Sequence, residues 1–235
     1  MDTNPFEAPH ASLAEQEAEA GALSPLPFED LAAEPRFWPR VWAMFSLLFR
    51  SPRAFFLRVP ATTGFSAPWR FQLLLLVPYL LLSLAMMLLF MGFVPLLSKG
   101  DPSAPPSWLL HAIFGGMSAA LLVLTPLMAF LGMVVGGAIL HGLLWLWGGV
   151  RPGAGLPATI RATGYASAFL ALASAIPMVG AFAALGAPVL LGYGLARIHR
   201  CDTWRGICAC YTPLLLCCCS YAALFALALR LGSAS

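Results

Sequence analysis

The chain has 235 residues, of which 60% are hydrophobic and 10% charged, and its formal net charge is +3. A soluble domain carries about 25% charged residues, so this composition excludes an ordinary soluble protein and predicts one embedded in lipid. The small net charge, without a basic run that alternates with aromatic residues, argues against nucleic acid as a partner.

The N-terminal segment, residues 1–35, is acidic. Eight of the ten acidic residues of the chain lie within the first 34 positions. The segment lacks the basic region and the apolar region of a signal peptide, so we do not expect it to be one. With several prolines and few apolar residues it predicts a disordered acidic tail. The tail is either a solvated tether or a segment that recruits a cytoplasmic protein partner.

Residues 36–70 alternate arginine with large aromatic residues. Aromatic rings suit the depth of the lipid headgroups, and guanidinium groups suit anionic phosphates. The segment therefore predicts amphipathic helices that lie on the membrane surface, divided at Pro52 and Pro60. The arginines assigned to anionic headgroups in this segment are Arg50, Arg53 and Arg58.

Uncharged apolar segments predict a membrane domain over residues 71–230, with a short tail at 231–235. A hydrocarbon core of about 30 Å needs about 20 apolar residues per helix. The predicted spans are 71–97, 125–148, 162–180, 181–198 and 208–229. The uncharged stretch 107–149 is ambiguous, because it is long for one crossing and short for two. With one crossing, Trp108–Leu124 is a surface or re-entrant helix that breaks near Thr125–Pro126.

The distribution of positive charge favours one crossing. Eleven of the thirteen Lys and Arg residues then lie on one side, against Lys99 and Arg230 on the other, whereas two crossings divide them seven to six. Cytoplasmic loops are enriched in Lys and Arg. The predicted fold is therefore an all-α five-helix bundle with its N-terminus in the cytoplasm and its C-terminus outside. The loop arginines assigned to the cytoplasmic headgroups are Arg151, Arg161, Arg197, Arg200 and Arg205.

Small residues within the spans predict where helices pack, because close approach drives association in lipid. We expect packing within the bundle rather than between two chains, although a homo-oligomer stays open. The candidate packing glycines are Gly132, Gly136, Gly137 and Gly192.

His141 is the candidate functional residue within the spans, which contain no Asp, Glu or Lys. Carriers that move ions or protons need ionisable groups at this depth. We favour a neutral histidine that is hydrogen-bonded to a neighbouring helix, and leave a pore for a neutral solute open.

The six cysteines lie between Cys201 and Cys219. With His199 they suggest a zinc site, but the C-x2-C spacing of a zinc knuckle is absent. A cytoplasmic location also disfavours disulfides. We therefore expect no metal and no cofactor, with the thiols packing as small apolar groups. Motifs of hydrolases, metalloproteases and nucleotide-binding enzymes are missing, so we expect no enzyme.

Short motifs between Arg50 and Leu216 carry a resemblance to a known family. They are the double glycine Gly148–Gly149 that ends a helix, the basic loop Arg151 to Arg161, the early Tyr165, the turn residues Pro177 and Gly180, and Trp204 before the last span. In this order they resemble the Yip domain family, the Rab/Ypt-GTPase-interacting proteins and their bacterial relatives. The resemblance implies five spans and a non-enzymatic membrane role. Nothing in the acidic tail specifies GTPase recognition, so that property is not carried over.

Two functions follow as expectations. The first is a membrane-organising or protein-interaction role at the cytoplasmic face of a bacterial inner membrane, with anionic lipids as partners. The second is a small channel or carrier for a neutral or hydrophobic solute. Loss of solute flux after His141→Leu would distinguish the second from the first.

Overall fold

The computed structural model describes residues 24–60, 64–97, 107–150 and 154–232. Within these ranges the chain forms helices and turns and no strand, so the predicted all-α class is confirmed. The helices are α1 (Phe37–Arg50), α2 (Pro52–Leu57), α3 (Ser66–Leu97), α4 (Ser107–Leu146), α5 (Leu156–Ser174), α6 (Pro177–Ile198) and α7 (Thr203–Gly232). The chain divides into an N-terminal unit that ends at Pro60 and a second unit that begins at Ala61.

The N-terminal unit includes part of the predicted acidic tail in an ordered form. Residues 24–36 form turns in which two backbone N–H groups donate to the carbonyl oxygen of Leu26, at 2.8 and 3.1 Å. The Arg40 guanidinium donates to the carbonyl oxygen of Phe28 at 3.1 Å and lies 5.7 Å from the centroid of its ring. These contacts explain why residues 24–35 are folded although composition predicts a disordered tail there. The remainder of the predicted tail, residues 1–23, lies outside the described residues.

In the second unit, α5 is the central helix. It packs against α3, α4 and α6, and α7 packs against α6 and α4. Ten residues of α5 between Ala158 and Phe169 are buried. Its small residues allow neighbours to approach from several sides, as helices in lipid require.

The helices of the second unit alternate in direction, which brings five helix ends together. Arg161, in the second turn of α5, donates to the carbonyl oxygen of Gly64, just before α3. Arg205, at the start of α7, donates to the carbonyl oxygen of Gly148, just after α4, at 2.6 Å. We call the end where α3, α5 and α7 begin and α4 and α6 end the loop end.

Four helices of the described chain are long and apolar enough to cross a bilayer. The candidate spans are Ser66–Phe93, Leu122–Leu146, Met178–Ile198 and Thr203–Ala226. The central helix α5 is not among them, so a fifth crossing stays a prediction.

Two details differ from the expectations from sequence, both at prolines. Helix α4 continues through Pro126 from Ser107 to Leu146, so the expected break at Thr125–Pro126 is absent. Proline is tolerated inside apolar helices because neighbouring groups replace the lost hydrogen bond. The turn between α5 and α6 lies at residues 175–176 rather than 177–180, because Pro177 begins α6. The fixed φ of proline suits the first helical position.

Candidate functional site

The loop end is organised by two similar helix termini. At the end of α4 the N–H of Gly149 donates to the Leu144 carbonyl oxygen at 2.8 Å, and the N–H of Gly148 donates to that of Trp145 at 2.8 Å. Gly148 has φ +66°. This is the Schellman arrangement, in which a residue of left-handed conformation closes the helix. The double glycine therefore ends α4 and turns the chain toward α5.

The end of α6 repeats this arrangement without glycine. The N–H of Cys201 donates to the Ala196 carbonyl oxygen at 2.9 Å, and Arg200 has φ +51°. A residue with a Cβ in this conformation costs about 1 kcal/mol. The turn that ends α6 therefore has a higher conformational free energy than the turn that ends α4, where glycine takes this position.

Gly148→Ala is expected to lower the free energy of unfolding by about 1 kcal/mol, because alanine is strained at positive φ. Gly148→Asn is the matched control, since asparagine tolerates this conformation better. Unfolding by SDS in mixed micelles measures both variants. Equal stability of the alanine and wild-type proteins would contradict the assigned conformation.

Three polar side chains from different helices meet close to these turns. The hydroxyl oxygen of Thr159 on α5 lies 3.0 Å from Nδ1 of His141 on α4. The same oxygen lies 2.8 Å from Nε2 of His199, which follows α6 directly. The centroids of the two imidazole rings are 5.3 Å apart. We call these residues the histidine–threonine cluster. The prediction that His141 is hydrogen-bonded to a neighbouring helix is confirmed.

His199 is the most enclosed member of the cluster. Its side chain is 0% exposed, and its Nδ1 has no hydrogen-bond partner among the described residues. Burial lowers the pKa of His199 from its ordinary value of 6.5 to about 4, and the charge of His141 contributes to the same shift. His199 is therefore neutral at pH 7 in the packed structure.

Two of the predicted headgroup arginines contact other groups of the second unit, and one of them is buried there. Arg161 is 4% exposed and donates to the Gly64 carbonyl oxygen, so it lies inside the bundle rather than at its surface. The reason is the central position of α5. The Arg197 guanidinium lies 4.8 Å from the ring centroid of Tyr193. Arg151 lies outside the described residues.

Arg205 joins the start of α7 to the end of α4. Besides its hydrogen bond to the Gly148 carbonyl oxygen, its Nε lies 3.2 Å from the Asp202 carboxylate. Its guanidinium also lies 5.4 Å from the ring centroid of Trp204. Trp204 in turn meets Trp147 edge to face at 6.1 Å. Indole rings and a guanidinium at one helix end are typical of a membrane interface.

The other motif residues pack or turn the chain. Tyr165 is buried in α5, with its ring centroid 5.6 Å from that of Phe71 on α3. Gly180 lies in the first turn of α6, where an added Cβ would come within 2.8 Å of Cα of Ser174.

The four predicted packing glycines divide into two pairs. A Cβ at Gly137 would lie 2.7 Å from Cα of Ile160 on α5, and one at Gly192 would lie 2.6 Å from Cα of Ile207 on α7. A Cβ at Gly132 or Gly136 would meet no atom of the described residues within 4 Å. Gly137 and Gly192 therefore lie where two helices of the chain approach closely. Gly132 and Gly136 lie on a face of α4 that no described helix covers.

The candidate zinc ligands do not come together in the described part of the chain. No group of three His, Cys, Asp or Glu side chains there has the geometry of a metal site. His199 is hydrogen-bonded to Thr159 instead. The Cys201 sulfur lies against Gly149, 3.2 Å from the position that a Cβ there would take.

Within the N-terminal unit, α1 has apolar side chains on two faces. Val41, Met44 and Leu48 are buried. Trp38, Trp42 and Phe49 are exposed by 70, 76 and 76%, and their spacing of four and seven residues places them on one side of the helix. We call them the aromatic face of α1. Arg50 and Arg53 are exposed and Arg58 is half-buried. A second apolar face needs an apolar environment of its own.

Sequence analysis predicted the hydrogen bond of His141, considered His199 only as a candidate zinc ligand and did not single out Thr159. Thr159 and His199 lie 18 and 40 residues away from their partners in the chain, and no local pattern joins them. One signal in the sequence could have joined them. His141, Thr159 and His199 all lie near those ends of the predicted spans that face the cytoplasm.

Comparison with known proteins gives a family match. The Yip1 domain model matches residues 45–224, which is 180 of the 235 residues. No curated protein and no solved structure matches the chain.

Proposed function

Since the chain belongs to the Yip1 domain family, we propose that it is a non-enzymatic, multi-pass membrane protein that organises the membrane or binds a protein partner at its cytoplasmic face. The proposed location is the inner membrane of a bacterial cell. The observation that carries the proposal is the aromatic face of α1, which exposes two indole rings and a phenyl ring beside arginine.

Alternating helix directions support five crossings. The helices α3, α5 and α7 begin at the loop end, and α4 and α6 end there. The five helices would therefore cross one bilayer in alternating directions. Helix α5 has 19 residues, or about 28 Å at 1.5 Å per residue, which is close to the thickness of a hydrocarbon core. The arginines gather at the loop end, so the positive-inside rule assigns that end to the cytoplasm.

The aromatic face of α1 suits the headgroup region of the cytoplasmic leaflet. An amphipathic helix binds there by placing large apolar side chains among the acyl chains and arginine beside anionic lipids. Arg50 at the end of α1 and Arg53 in α2 are exposed. Each arginine near an anionic surface contributes about 1 kcal/mol.

We expect the indole emission of Trp38 and Trp42 to be quenched by brominated lipids when the full-length protein is reconstituted into phosphatidylethanolamine–phosphatidylglycerol vesicles. The emission of these two residues is obtained by subtracting the emission of the double variant Trp38→Phe/Trp42→Phe from that of the wild type. Most of it should be lost with lipids brominated on their acyl chains and should resist iodide in the water. Quenching by iodide alone would mean that this face lies in water, and the membrane-surface role would be wrong.

The lipid charge supplies the matched control. Replacing phosphatidylglycerol by phosphatidylcholine should weaken the quenching in wild type, and should have little effect in Arg50→Gln/Arg53→Gln, because the attraction to anionic lipid has already been removed. An equal effect in both proteins would contradict a role for these arginines.

A protein partner is tested separately from lipid contact. Crosslinking in native membranes should capture a cytoplasmic protein with wild type and lose it after deletion of residues 1–23. Glycerol flux into proteoliposomes that is abolished by His141→Leu would instead identify a channel or carrier.

A further inference from the structure

The histidine–threonine cluster joins three helices through one hydroxyl group. Thr159 belongs to α5, His141 to α4, and His199 immediately follows α6. A threonine hydroxyl has one hydrogen to donate and can accept from a neighbour. At most one of the two neutral imidazoles can therefore accept from this hydroxyl, and at least one donates to its oxygen.

The surroundings of His199 decide which imidazole donates. A hydrogen on its buried Nδ1 would be a donor without an acceptor among the described residues, and buried unpaired N–H groups are rare in folded proteins. The hydrogen of the neutral ring therefore lies on Nε2 and is donated to the Thr159 oxygen. The Thr159 hydroxyl hydrogen is then available to donate to Nδ1 of His141, 3.0 Å away.

A second proton on His199 has no favourable place while the end of α6 stays packed. It would occupy Nδ1, which is fully buried, and would put a positive charge 5.3 Å from the ring of His141. In water the same proton is readily solvated. Proton binding is therefore linked to exposure of this ring.

We propose that the histidine–threonine cluster is a pH-sensitive switch, in which protonation of His199 releases the end of α6, and the turn after it, from α4 and α5. The turn is suited to this movement because Arg200 holds it in a left-handed conformation that favours glycine. This switch does not depend on whether the loop end contacts a lipid or a protein partner.

Other charged groups on the packed helices are engaged elsewhere. From α5, Arg161 donates to the Gly64 carbonyl oxygen, and from α6, Arg197 lies over Tyr193. On the α7 side, Asp202 pairs with Arg205. The sequence of α4 contains two histidines, His111 and His141, and no Asp, Glu, Lys, Arg, Cys or Tyr. Of all these groups, His141 is the one whose charge acts on the pKa of His199.

The direction of the pH effect follows from the lowered pKa. His199 is harder to protonate when packed, with a pKa of about 4, than in water at 6.5. Above pH 6.5 His199 is neutral in both states, and the packed state has its full stability relative to the released state. This stability falls as the pH decreases from 6.5 toward 4, because the released state then binds a proton. Between pH 7.5 and 5 the opening equilibrium should shift by roughly thirty-fold toward the released state.

Hydrogen exchange of the full-length protein in lipid nanodiscs measures this shift. The probes are the backbone N–H groups of His199 and Cys201, which donate to the Leu195 and Ala196 carbonyl oxygens at 2.9 Å. After correction for the intrinsic pH dependence of exchange, their protection should fall by roughly thirty-fold from pH 7.5 to pH 5.

His199→Gln is the decisive variant, because the glutamine amide can donate to Thr159 but does not titrate. Its protection should be the same at both pH values. His111→Gln is the matched control and should keep the wild-type fall, as should Thr159→Ser, which retains the hydroxyl. An equal fall in wild type and His199→Gln would overturn the proposal.

A measurement on the wild type covers the case in which His199→Gln does not fold. Nitrogen NMR of protein labelled at histidine should show one ring that stays neutral, with its hydrogen on Nε2, well below pH 6. Titration of all histidine rings between pH 6 and 7 would exclude the switch.

Discussion

Gly206→Ala is expected to force α7 away from α6 and to lower the free energy of unfolding by about 3 kcal/mol, at the upper end of the usual range for overpacking. A Cβ on Gly206 would overlap the carbonyl oxygen of Gly192, and one on Gly192 would lie 2.6 Å from Cα of Ile207. The atoms in the way belong to the backbone, so no side-chain rotation can relieve the overlap.

The matched control for this variant is Gly186→Ala. Gly186 lies on α6, like Gly192, but a Cβ there would meet no atom within 4 Å in the part of the chain that the structure describes. Because alanine favours a helix over glycine, we expect this control to be neutral or up to about 1 kcal/mol more stable. SDS unfolding in mixed micelles compares the two. Equal losses would mean that α6 and α7 do not approach through Gly206.

Thr159→Val should destabilise the protein by about 2–4 kcal/mol, because it leaves a buried nitrogen of His199 and a half-buried nitrogen of His141 without their shared hydrogen-bond partner. Valine has nearly the shape of threonine, so the loss reports the hydroxyl rather than a cavity. The hydroxyl lies 3.0 Å from His141 and 2.8 Å from His199.

Thr163→Val, one turn further along α5, is the control for the hydroxyl itself. Thr163 is buried too, but its hydroxyl donates back to the Thr159 carbonyl oxygen within the same helix. We expect a change within about 1 kcal/mol. If thermal unfolding in nanodiscs shows the same loss for both variants, the cluster contributes no more than an ordinary helix hydroxyl.

Sequence alone predicted the class of the fold and the family. The apolar segments and the low fraction of charged residues predicted a membrane environment, and the order of motifs from Gly148 to Trp204 gave a resemblance that the Yip1 match over residues 45–224 confirms. These features are local or depend on composition, so they can be read without a three-dimensional arrangement.

Contacts between residues that are distant in the chain could not be predicted from the sequence. A GxxxG pattern at Gly132 and Gly136 does not reveal which side of α4 faces a neighbour. The close approach falls at Gly137, which is turned by about 100° from Gly136. Likewise, His141 predicted a hydrogen bond to another helix, but its partner Thr159 and the third member His199 are defined by how three helices pack.

The turn at Arg200 has a consequence for how the molecule fluctuates. A folded protein opens segment by segment, and the segment with the smallest free energy of closure opens most often. Because the φ of Arg200 is +51° and costs about 1 kcal/mol, we expect the amides near it to exchange faster than those after Gly148. Native dynamics at this end of the chain would then be concentrated in residues 199–202, while the adjoining helices keep their slow-exchanging interiors.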